Sequence, residues 1–113
     1  MKKIYSLILL TVMAFSTYAA TVTVVSVGNT FSPSTINVSV GDSIQFNITN
    51  AHDVVEVSMA TYNANGNTSN GGFTLPFGGG NLNGLAAGTY YYVCTPHAAG
   101  GMKGTITVTA APP

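Results

Sequence analysis

Residues 90–102 read Tyr90-Tyr91-Tyr92-Val93-Cys94-Thr95-Pro96-His97-Ala98-Ala99-Gly100-Gly101-Met102. Tyrosine and valine favour a pleated, half-buried strand, and a period of two puts Tyr90, Tyr92 and Cys94 on one face. The run breaks at Pro96 and again at Gly100-Gly101. Cysteine, histidine and methionine therefore fall on a tight loop at spacing C-x2-H-x4-M. Past that loop Ile106 and Val108 alternate with Thr105, Thr107 and Thr109, the mark of another strand. A strand, a loop of metal-ligating side chains and a second strand follow one another, so the chemistry sits at strand ends.

The same alternation recurs upstream. Ile36, Val38 and Val40 alternate with Asn37 and Ser39, and Ile44, Phe46 and Ile48 with Gln45 and Asn47. Gly28-Asn29, Gly41-Asp42, Asn65-Gly66, Gly71-Gly72, Gly78-Gly79-Gly80, Asn83-Gly84 and Gly88-Thr89 are turn signals between them. No helical period is sustained. About seven short strands predict an all-β domain of two packed antiparallel sheets, a β-sandwich. Tyr62–Gly84 interrupts the rhythm. It is rich in Asn and Gly, carries weak strand character only around Phe73–Phe77, and reads as a long excursion within one domain.

Charge is scarce. Among 113 residues, Lys2, Lys3 and Lys103 stand against Asp42, Asp53 and Glu56, 5% in all, where a soluble domain carries about 25%. With no basic excess there is nothing to neutralise a phosphate backbone, which excludes nucleic acid as a partner. One cysteine excludes an internal disulfide framework. At the N-terminus, Lys2-Lys3 precede an apolar stretch from Ile4 to Phe15, and Thr17 and Ala19 suit the −3 and −1 sites of a signal peptidase. Residues 1–19 are expected to be a secretory signal peptide, 20–109 the domain and 110–113 an Ala/Pro tail. The apolar core is too short to span about 30 Å comfortably, so no stable membrane insertion is expected after cleavage. The mature chain would be periplasmic or secreted, with Lys103 against three carboxylates. A lone thiol in an oxidising compartment is unusual, and Cys94 needs a partner other than sulfur.

His52 closes the strand that runs from Ile44 to Asn50, so His52, Cys94, His97 and Met102 can meet at one end of a sandwich. Thiolate and thioether sulfur with two imidazoles suit copper, and a His2Cys set with a long axial Met is the geometry of blue-copper electron-transfer sites. Singly, each residue has a plainer reading: a buried Cys as a small hydrophobe, Met102 as core filler, His52 as a strand-end histidine. Their coincidence at one end favours metal. An enzyme is not expected: no histidines remain for a multinuclear copper centre, and no G-x-S-x-G motif accompanies the histidines.

The chain resembles the cupredoxins, most of all their plastocyanin-like branch. The resemblance runs over roughly Val22–Val108. It rests on Phe31-Ser32-Pro33, Ile36–Asp42 and Asn50-Ala51-His52-Asp53-Val54, then on Gly88–His97 and Gly101-Met102-Lys103-Gly104. It implies a Greek-key sandwich holding one type 1 copper ion, with His52, Cys94 and His97 equatorial and Met102 axial. It further implies a monomeric one-electron carrier whose redox donor and acceptor dock near His97, inside an apolar collar. Ala51, Pro96, Ala98, Ala99, Gly100 and Gly101 are the collar candidates, with Leu75 and Phe77 as contributors. Two departures stand out. The remote acidic patch and exposed Tyr that many plastocyanins use for docking have no counterpart, since Val57-Ser58-Met59-Ala60 is uncharged and Val93 precedes Cys94. Asp53 stands where the family often has Asn, and its side chain is expected to accept from Thr95. The competing readings are a periplasmic copper carrier or store without redox duty, and a structural zinc or metal-free adhesion domain.

Overall fold

The computed structural model describes residues 19–110. The proposed signal peptide, but for Ala19, and the end of the Ala/Pro tail lie outside the described residues. The strands are β1 (Thr21–Val27), β2 (Thr30–Ser32), β3 (Thr35–Ser39), β4 (Ser43–Asn47), β5 (Val54–Val57), β6 (Ser69–Leu75), β7 (Gly79–Leu82), β8 (Gly88–Val93) and β9 (Lys103–Thr109). A single helical turn, α1 (Met59–Asn63), follows β5, and a 3-10 turn spans Ala98–Gly100.

The strands form two sheets, ordered β2-β1-β4-β7 and β3-β9-β8-β5-β6. The sandwich is as expected; purely antiparallel pairing is not. β1 runs parallel to β4 and β3 parallel to β9. The chain crosses between sheets after β2 and again after β3, so β1 and β4 become neighbours without a hairpin to force them antiparallel. The pairs around the loop of residues 94–102 are antiparallel: β8 lies between β5 and β9, with Tyr90 opposite Ile106 and Tyr92 opposite Gly104.

Alternation decides what is buried. Val24, Ile36, Ile44, Phe46, Val54, Tyr92, Cys94 and Ile106 point between the sheets and are nearly inaccessible. Phe31, Phe46 and Tyr92 meet edge to face, with centroids 5.1–5.9 Å apart. Such pairs add about 0.5–1.5 kcal/mol each beyond the area they bury. Tyr92 fits because residue 104 is glycine. A Cβ there would overlap the phenol end and the Ser34 carbonyl. On the other face of β8, Val93 joins Val57 and Ala98 in a second small cluster, under Tyr62 and Tyr91.

The Asn/Gly-rich excursion is more ordered than alternation suggests. Glu56 explains part of this. Its carboxylate accepts from the Phe73 N–H at 3.1 Å and from Asn70 Nδ2 at 2.9 Å, holding β6 on β5 across a register shift. Polar contacts of that kind leave no hydrophobic period to read. Val40 departs the other way: it continues an alternating run, yet β3 ends at Ser39 and Val40 is exposed.

Candidate metal centre

Two stretches of chain, the connection from β4 to β5 and the loop from β8 to β9, converge at one end of the sandwich. His52 follows β4, its N–H donating to Thr49 at 3.1 Å and its carbonyl accepting from Gly78 at 3.0 Å. Cys94 directly follows β8, and its N–H donates to the Met102 carbonyl at 3.0 Å. His97 N–H donates back to the Cys94 carbonyl at 3.1 Å, while Gly100 and Met102 N–H both donate to the His97 carbonyl. The loop thus closes on itself at both ends. Gly101, at φ 93°, makes the left-handed bend that turns the chain toward β9.

This backbone brings three donor atoms together. His52 Nδ1 and His97 Nδ1 are 3.2 Å apart, and Cys94 Sγ lies 3.6 Å from the first and 3.4 Å from the second. A triangle with these sides has its centre about 2.0 Å from every corner, close to a first-row metal–nitrogen bond and slightly short of a metal–sulfur one. His52 and Cys94 are buried and His97 is half-buried. Met102 is also buried, in the same apolar cluster as Cys94. The three nitrogen and sulfur donors therefore fit a copper ion of the His2Cys kind in both chemistry and spacing.

Burial pushes the Cys94 thiol above its ordinary value, and the backbone N–H groups of Asp53 and His97 that face the sulfur oppose this. A buried thiol of this sort is kept as thiolate by a cation rather than by water. Asp53 behaves as its position suggested: Thr95 donates its N–H to one carboxylate oxygen and its hydroxyl to the other, both at 2.7 Å.

The collar needs correction at two residues. Ala98 is buried with Val57 and Val93, because the 3-10 turn points it inward, and Leu75 closes β6 opposite Val54 in the core. Ala51, Pro96, Ala99, Gly100 and Gly101 are exposed. Phe77 is 55% exposed on the β6–β7 turn that is bonded to the His52 carbonyl. Val93 is fully buried and the Glu56 carboxylate is occupied by β6. One contributor escaped the sequence reading. Asn67 donates to the Thr95 carbonyl at 3.2 Å, and nothing in its Asn-rich surroundings distinguished it.

The family model for copper binding proteins of the plastocyanin/azurin family matches residues 18–109. Among solved structures, the chain is similar to pseudoazurin from Methylobacterium extorquens AM1, with 22% identity over 79% of this chain and 75% of that one and a TM-score of 0.59. It is similar to an amicyanin variant in the Cu(I) state, at 24% identity over 78% and 81% with a TM-score of 0.58. A reduced amicyanin variant shares 26% identity over 77% and 80%, with a TM-score of 0.55. No curated protein sequence matches the chain.

Proposed function

The chain belongs to the plastocyanin/azurin family of copper binding proteins, a cupredoxin with one type 1 copper as cofactor, and we propose that it shuttles single electrons between redox proteins outside the cytoplasm. The observation that carries this reading is the triangle of His52 Nδ1, Cys94 Sγ and His97 Nδ1, with sides of 3.2–3.6 Å. Bound copper would supply a one-electron Cu(II)/Cu(I) couple. Everything else is work for the chain's own side chains. His52, Cys94 and His97 would hold the ion through Nδ1, Sγ and Nδ1, with Met102 as the fourth ligand of the proposal. Two imidazoles and a thiolate fixed by loop hydrogen bonds suit both oxidation states without an ideal geometry for either, so little has to move between them. The N–H groups of Asp53 and His97 steady the thiolate.

His97, half-buried where His52, Cys94 and Met102 are buried, is the most exposed of the proposed ligands. Partners of this carrier dock there, on the apolar surface of Ala51, Pro96, Ala99 and Gly100 with Phe77 beside it. The remote acidic route is absent from the proposal, in keeping with buried Val93 and occupied Glu56. Export follows from the N-terminal Lys2-Lys3, the apolar stretch and the small residues before Ala20. Among the described residues no helix is long and apolar enough to cross a membrane. Cleavage after Ala19 would turn the Ala20 nitrogen, now 2.9 Å from Asp42 Oδ1, into the mature chain's ammonium group.

Cyclic voltammetry of the copper-loaded protein tests the carrier role. The expected result is a reversible one-electron wave at a stable potential. Copper bound without a reversible wave would instead identify a copper carrier or store.

A further inference from the structure

The segment from Ser58 to Asn67 holds none of the proposed ligands, yet it meets the metal-binding loop and the strands on either side of it at three places. Two of the contacts fall on the residue that follows a ligand, and the third on a buried cluster that contains such a residue. Asn67 Nδ2 donates to the carbonyl of Thr95, next to Cys94, at 3.2 Å. Tyr62, its ring 5.2 Å from that of Tyr91, closes over the buried cluster that contains Ala98, next to His97. Lys103, next to Met102, donates Nζ to the Tyr62 carbonyl at 2.9 Å and sits 4.2 Å over the Tyr62 ring.

A five-residue helix is not stable by itself in water. Ser58 caps its start by accepting from the Thr61 N–H, and the Tyr62 carbonyl near its end is taken by Lys103. The helix therefore owes its existence to tertiary contacts, among them those of Tyr62 with Tyr91 and with Lys103. Thr95 gives the complementary view. Its N–H and hydroxyl are held by Asp53 and its carbonyl by Asn67, so all its polar groups are tied from outside the loop. Fixing the residue after a ligand orients that ligand's backbone while leaving its side chain free for the metal.

We infer that Ser58–Asn67 is an outer brace of the metal-binding loop, with Tyr62, Asn67 and Lys103 as positioning residues that hold Cys94, His97 and Met102 in place before metal arrives. The inference rests on the ligand assignment proposed above.

Amide hydrogen exchange on metal-free protein tests the brace, with the visible spectrum of Cu(II)-loaded protein as the companion measurement. In Asn67→Ala and Lys103→Met, the His97 and Met102 amides should exchange about three- to tenfold faster. Amides pairing β1 with β4 should keep their wild-type rates. A chelator should withdraw copper faster by a similar factor, and Lys103→Arg, which keeps the donor, should restore wild-type behaviour. Unchanged loop-amide rates, or rates raised equally in all strands, overturn the brace while a blue wild type leaves the ligand assignment standing. A wild type that takes up Cu(II) without a blue band overturns the assignment and the brace with it.

Discussion

Asp53 and Tyr92 are two buried polar residues of opposite standing. Asp53 has both carboxylate oxygens satisfied by Thr95 and its N–H facing the Cys94 sulfur. A negative group beside the site favours the more positive oxidised metal. Asp53→Asn keeps an acceptor for the Thr95 N–H and a donor for its hydroxyl while removing the charge. It should raise the reduction potential by roughly tens of millivolts, the one-electron equivalent of about 1 kcal/mol. An unchanged or lowered potential in voltammetry would contradict this. The Tyr92 hydroxyl, in contrast, is buried with no hydrogen-bond partner among the described residues, and burial pushes its phenol well above the ordinary range. An unsatisfied buried polar group costs about 1–3 kcal/mol. Tyr92→Phe should therefore raise the thermal midpoint, by an amount matching about 1 kcal/mol. A lower midpoint would show that the hydroxyl has a partner.

At the scale of elements, strands with an apolar period announced themselves in the sequence, and elements held by polar contacts did not. Ile36 and Val38, Ile44 and Phe46, and Ile106 and Val108 all face the core as their alternation implied. α1 and the first half of β6 were illegible because Glu56, Asn70 and Lys103 hold them through hydrogen bonds that leave no period, and only the end of β6 showed, as weak strand character around Phe73. The ligand loop was legible for a different reason. Its Cys94, His97 and Met102 are rare residues in a chain with one cysteine and two histidines, whereas Asn67 was one asparagine among many. The β3–β4 turn carries its own pH response. Asp42 accepts from the N–H groups of Ala20 and Ser39, and these bonds hold its carboxyl below the ordinary carboxylate value. A depressed folded-state value contributes stability above pH about 4, where the unfolded chain also ionises, and loses it as pH falls through the folded value. Acid titration of the melting temperature should thus be shallower below pH about 4 in Asp42→Asn than in wild type. Parallel curves would contradict it.

For the whole molecule, the scarcity of charge bears on how the proposed carrier would meet its partners. With the proposed signal peptide removed, one lysine would face three carboxylates, and of those Asp53 is buried and Glu56 is bound by β6. Such a surface steers little over distance. Electron-transfer rates with a redox protein should therefore change less than about threefold between low and physiological salt, and a steep salt dependence would contradict docking on the apolar end. The sandwich serves this end by bringing His52, on the connection from β4 to β5, and Cys94, at the end of β8, to a single triangle of donors. The most direct test of that centre is the visible spectrum of purified protein titrated with Cu(II). The predicted result is an intense blue thiolate-to-copper band that saturates at one equivalent and is absent in Cys94→Ser. A protein that stays colourless, or a band that survives in Cys94→Ser, would contradict the account.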